Sequence, residues 1–184
     1  LYFAHYGDEF EMNDMGYMKR NGFDELYGRT RRDRLQYDAN SPFLSSTTLL
    51  EYGYTENTDG DRLSFWTQLE HAWTLKSTEE IGLEVGADAA GWDDRITRAN
   101  GLYQRPSEYW THAIYGSPRG EDFSYSLGLH VDYNEVEKIS SHLHFVPQFY
   151  LTETLTVGGQ LGYDRMQRWL IWDSQAQQLA VYKA

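Results

Sequence analysis

The chain has 184 residues, a formal charge of −12 and no cysteine. Disulfides and thiol chemistry are thereby excluded, and the acidic balance argues against a nucleic-acid partner, which needs a basic face. Aromatic residues make up 16%, including 15 Tyr and 6 Trp, yet the mean hydropathy is −0.68. A soluble domain this polar seldom carries so many aromatics. Outer-membrane barrels do, because Tyr and Trp girdle both interfaces around a polar lumen. No run approaches the roughly 18 apolar residues that a transmembrane helix requires. That speaks against a helical membrane protein and leaves a barrel open. The chain runs from Leu1 to Val181-Tyr182-Lys183-Ala184. Without an initiating Met, signal peptide or terminal stop pattern, it reads as a mature or internal portion of something longer.

Taken in order, Leu1 to Gly7 reads as a short aromatic strand. Gly7 to Asn21 then packs four carboxylates and two bases around single apolar residues, the composition of a solvated turn. Arg29, Arg31, Arg32 and Arg34 follow, expected to line a lumen or sit at headgroup level and to pair with that acidic run. A lipid-facing Arg at the midplane would cost about 2–4 kcal/mol. Asn40-Ser41-Pro42 turns into a strand over Leu44 to Thr55, and Asn57 to Asp61 is a strong turn signal.

Leu63 to Ala89 carries the clearest pattern. Leu63, Phe65, Thr67, Leu69, His71, Trp73 and Leu75 alternate with a mostly polar set, and after Ser77–Glu80 the alternation resumes from Ile81 to Ala89. Strict alternation marks a strand with two unlike faces, and the pair predicts an antiparallel hairpin. Its first run is long for a soluble strand and suits a tilted bilayer crossing of roughly 9–11 residues. Gly91 to Ser107 is the longest irregular stretch.

Strands follow at Tyr109–Gly116, Phe123–Tyr133, Ile139–Phe149 and Leu155–Tyr163, separated by turns at Ser117–Gly120, Asn134–Lys138 and Leu151–Thr154. The pattern blurs around Trp169–Trp172, and a last weak strand covers Leu179–Lys183. Short turns recur at every second connection, the habit of periplasmic turns, which makes Gly91–Ser107 extracellular. The expected fold is all-β: an antiparallel transmembrane β-barrel domain over 1–184, of which this chain supplies roughly ten to twelve strands.

Two motifs carry a family resemblance. Gly7-Asp8-Glu9-Phe10 with Met15-Gly16-Tyr17-Met18-Lys19-Arg20 resembles the "GDxFNxxxGFxxR" segment of the DUF5916 family. Asp93-Asp94-Arg95-Ile96-Thr97-Arg98-Ala99-Asn100-Gly101-Leu102, with Pro106 after it, resembles that family's "DDRxTRGG" loop. The likeness covers most of the chain, with Glu11-Met12 in place of the usual Asn and Ala99-Asn100 in place of a Gly pair. It implies a Gram-negative outer-membrane barrel that follows a periplasmic domain similar to family 9 carbohydrate-binding modules. That domain and the last strands are expected outside this sequence. No catalytic residue and no cofactor carries over.

Three groups are candidates for chemistry. If the Asn134–Lys138 turn centres on Val136, pairing sets His130 opposite His142, with His144 diagonal on the same polar face and Asp132 next along. Three imidazoles could share a metal; a hydrated lumen network is the plainer reading. Trp92, Asp93, Asp94, Arg95 and Arg98 could bind a sugar or cation, or form a self-satisfied salt-bridged loop. Trp66 lies on the polar face and could stack on a sugar or pack the lumen. The resulting expectation is a non-enzymatic barrel binding or admitting carbohydrate, partnered by the lipid bilayer and lipopolysaccharide. The alternatives are a structural subunit contacting another envelope protein, and a hydrolase using His130, His142 and Asp132.

Overall fold

The computed structural model describes residues 1–7, 22–93, 95–97, 101–118, 120 and 122–183. The fold is all-β and antiparallel, and no helix occurs among the described residues. The strands are β1 (Tyr2–Tyr6), β2 (Phe23–Arg34), β3 (Phe43–Asn57), β4 (Arg62–Leu75) and β5 (Glu80–Asp88). They continue as β6 (Gly91–Asp93), β7 (Tyr103–Arg105), β8 (Glu108–Gly116), β9 (Phe123–Asn134) and β10 (Lys138–Tyr150). Last come β11 (Thr156–Gly158), β12 (Leu161–Met166), β13 (Arg168–Asp173) and β14 (Gln178–Lys183).

Ten of these form one meander in the order β1-β2-β3-β4-β5-β8-β9-β10, with β11 and β12 both paired to β10. The Leu63–Ala89 hairpin is present as β4 and β5, with Leu69 opposite Val85. Its turn is tight enough to hold Thr78 at φ 72°. The single strand expected over Leu155–Tyr163 is two, both lying along β10 and parted at Gly159 and Gln160. The stretch read as irregular contains the β6–β7 hairpin, and β13 pairs only with β14. These small elements bring the strand number above the expected ten to twelve.

The sheet does not close. The outer edge of β1 and the far edge of β11 and β12 have no partner among the described residues, so these strands form an open sheet. β1 is only 5 residues long, and among the described residues β13 and β14 pair with each other rather than with either edge of the sheet.

The two faces are inverted relative to a soluble sheet. Phe65, Leu83 and Leu129 on the apolar face are 47%, 45% and 44% exposed. Leu49 and Leu63 are the buried hydrophobic residues among those described. The sheltered side carries Ser124, Asn134 and Asp88 instead, all buried. In an ordinary antiparallel sheet the apolar face packs on a core and the polar face is solvated.

Rings on the polar face lie over glycines of the neighbouring strand. Trp66 covers its pairing partner Gly53, and Trp110 covers Gly86. His144 covers Gly128, and on the apolar face Tyr52 covers Gly28. A Cβ at any of these glycines would overlap the ring above it. Trp66 is therefore seated against the sheet, with Tyr27 at 6.1 Å between ring centres.

The arginines of β2 divide by alternation. Arg29 and Arg31 share the polar face, where Arg29 pairs with Glu51 (3.6 Å) and Arg31 with Asp33 (2.9 Å). Arg32 and Arg34 face the other way near the strand end, and the Arg34 guanidinium sits 3.9 Å above the Tyr37 ring. The expected pairing with the acidic run falls at 8–21, outside the described residues.

Candidate functional site

Two polar centres stand out, one at the loop end of the sheet and one across its middle. At the loop end the β6–β7 hairpin folds against the start of β4, close enough that a Cβ on Gly91 would meet the Leu63 carbonyl. Asp88, 9% exposed, is the anchor. Its Oδ1 accepts from the Phe65 amide (3.0 Å), and its carboxylate accepts from Ser64 Oγ (3.0 Å to Oδ2). Arg105 closes the set by donating to Asp88 Oδ2 (2.6 Å) and to the Leu63 carbonyl (3.2 Å). A buried carboxylate with this many donors is fully hydrogen-bonded, as burial demands.

The predicted loop residues sit beside this anchor. Asp93 Oδ1 accepts from the backbone amides of Arg95 (2.8 Å) and Ile96 (2.9 Å), which shapes the turn. Trp92, Asp93 and Arg95 line a shallow pocket of about 320 Å³ with Thr55, Ser64 and Arg105. Trp92 is 36% exposed at its rim. Asp94 and Arg98 lie outside the described residues. Among the described residues, the salt bridge at this loop is Asp88–Arg105 (2.6 Å).

A smaller cavity of about 110 Å³ lies beneath the loop, lined by Asp93, Tyr103, Glu108, Glu137 and Leu170 among others. Burial pushes the Tyr103 phenol above its ordinary 10.0, and the nearby Glu137 and Asp93 carboxylates add to the rise.

The second centre lies on β8, β9 and β10. His130 and His142 are direct partners, as the turn centre at Val136 predicts, since Asn134 pairs with Lys138. His144 lies two residues along, and its ring is 5.6 Å from that of His142. His112 on β8 joins them as the opposite partner of His130, with rings 5.7 Å apart. Two imidazoles are already engaged: His130 Nε2 with Asp132 Oδ1 (2.7 Å) and His142 Nδ1 with Asp164 Oδ1 (2.5 Å).

Among the described residues, no group of three or more His, Asp or Glu side chains is arranged to hold a metal. His130, His142 and His144 do not make up such a group among the described residues. Strand spacing holds the rings apart, and carboxylates occupy a nitrogen on two of them. Ser140 Oγ donates to Asp132 Oδ2 (2.9 Å), and Asp132 in turn faces His130. The Asp132 carboxylate thus lies between the Ser140 hydroxyl and the His130 imidazole.

Asp88, Arg105 and His112 were not among the sequence candidates. His112 has a strong signal in the alternation of β8, but it needs the β8–β9 register. Gly116 pairs with Ser126 rather than across a four-residue turn at Ser117–Gly120. The chain matches no family model, no curated protein and no solved structure.

Proposed function

We propose that this chain forms part of the wall of a bacterial outer-membrane β-barrel, with its apolar face toward lipid and its polar face toward a lumen. The inverted exposure carries the reading: a sheet with its aliphatic side chains outward and polar groups such as Asp88, Ser124 and Asn134 sheltered is stable in a hydrocarbon solvent. Strand length supports it, since β3, β4 and β10 have 15, 14 and 13 residues, enough for a tilted crossing. So does the resemblance to DUF5916 barrels. The Trp92 pocket is where such a wall would bind a carbohydrate, an indole face beside Asp93, Arg95 and the Ser64 and Thr55 hydroxyls.

A second reading, a structural subunit joined to another envelope protein, is favoured by the edges of β1 and β12, which have no partner among the described residues, since such edges recruit further strands. The barrel reading is tested on the full-length protein by electrophoretic mobility with and without boiling, alongside circular dichroism. A β-rich species that requires detergent and shifts on boiling is expected. A β-rich protein that stays monodisperse without detergent would overturn it.

A further inference from the structure

Six neighbouring strands carry one line of titratable side chains across the polar face. Pairing partners run from Glu70 on β4 to Glu84 on β5, then His112, His130, His142 and finally Asp164 on β12. His144 reaches across Gly128 to bring its ring within 6.1 Å of His112, two strands away. The four imidazoles thus form one connected patch, all part-buried.

The charges that face this patch come from every strand around it. Glu84 on β5 is held by Trp110 Nε1 (2.8 Å), and Glu70 lies behind it on β4. Asp132 and Asp164 contact His130 and His142 directly. Glu80 lies toward the short-turn end of this face, and Glu108 and Lys138 toward the loop end, where Asp88 is engaged by Arg105. On β2 and β3, Arg29 with Glu51 and Arg31 with Asp33 neutralise one another locally. The line, together with the adjoining Asp132 and His144, therefore sets four carboxylates, Glu70, Glu84, Asp132 and Asp164, against four imidazoles.

Imidazole is the side chain whose charge changes between about pH 5 and 8. With the imidazoles neutral, the line carries a run of uncompensated negative charge; with all four protonated, the two sets balance. A stripe of one sign on a low-dielectric wall concentrates counter-ions and selects among permeating charges. We propose that this line is a proton-operated charge filter, which favours cations at neutral pH and loses that preference in acid. The inference rests on the reading of the polar face as a lumen wall.

The test places the detergent-folded, full-length protein in a phosphatidylcholine bilayer under a KCl gradient. Reversal potentials are measured at about pH 7.5 and about pH 5, either side of imidazole titration. A cation-preferring potential at neutral pH that falls by about half or more in acid is expected. The variant H112Q/H130Q/H142Q/H144Q should keep its neutral-pH potential in acid. Should that variant fail to fold, H112Q/H144Q and H130Q/H142Q are each expected to lose part of the pH response. Three results overturn the proposal: equal potentials at both pH values, a shift undiminished in the glutamine variants, or a folded barrel that passes no ions. Heat-modifiable mobility on the same sample separates these from failure of the barrel reading, which a detergent-independent protein would signal.

Discussion

The two faces of the sheet are held by different physics. On the polar face the contacts are directed and pairwise: Glu51 accepts from Tyr27 and from Gln68 Nε2 (2.8 Å), and Asp88 accepts from Arg105, Ser64 and the Phe65 amide. On the apolar face Leu83, Val85, Leu127 and Leu129 remain open, with no second layer over them among the described residues. Polar groups that are sheltered must satisfy one another, and they do so by geometry. Aliphatic groups need only a solvent that does not penalise their exposure. The difference teaches that one face stores its stability in specific bonds and the other in its surroundings.

That contrast can be broken from either side. The largest effect is expected from Asp88→Ala, which removes the acceptor of Arg105, Ser64 and the Phe65 amide. It leaves Arg105 only its longer pairing with Glu108 (3.8 Å) and its bond to the Leu63 carbonyl, and unseats the β6–β7 hairpin. A loss of about 3 kcal/mol is expected in denaturant unfolding, the lower end for breaking a buried pair. Leu129→Arg tests the other face and should cost about 2 kcal/mol in a lipid bilayer, the lower end for an Arg near the midplane. Ser126→Arg, on the polar face of the same strand, is its control and should fold into vesicles nearly as well as the parent. Equal penalties for the two arginines would remove the distinction between the faces.

The smallest effect concerns Tyr103, outside the sheet. Its folded phenol titrates above the ordinary 10.0, so the neutral form is the one the fold favours. That contribution is complete below the unfolded value and is lost as pH rises through the folded one. Tyr103→Phe should remove one late-titrating tyrosinate from the alkaline absorbance curve and flatten the fall in stability over that range. A lost tyrosinate that titrates at the ordinary 10.0 would place Tyr103 in water rather than beneath the loop.

Much of the sheet was legible because alternation with period two is a local signal. The β4–β5 hairpin and the His130–His142 pairing both follow from it, since a symmetric turn at Asn134–Lys138 fixes the register. His112 escaped because the β8–β9 connection is not a tight turn, so the same symmetry argument centres it on the wrong residue. The β6–β7 hairpin escaped for a different reason: three residues are too few to show a period. Arg105 finds Asp88 through folding of the intervening loop, a contact with no neighbouring-residue signature. Closure, finally, depends on what the edges of β1 and β12 meet, and alternation within a strand carries no information about that.

The rings seated over glycines have a consequence for how the sheet finds its alignment. Alternation forbids a slip of one residue, which would turn every side chain to the wrong face, but it tolerates a slip of two. Trp66, Trp110 and His144 do not tolerate it, because each ring has one notch, at Gly53, Gly86 and Gly128 in turn. Sliding a strand by two would press the indole or imidazole against a side chain and leave the notch empty. These glycines thus act as index marks, telling each strand how far along its neighbour to stop.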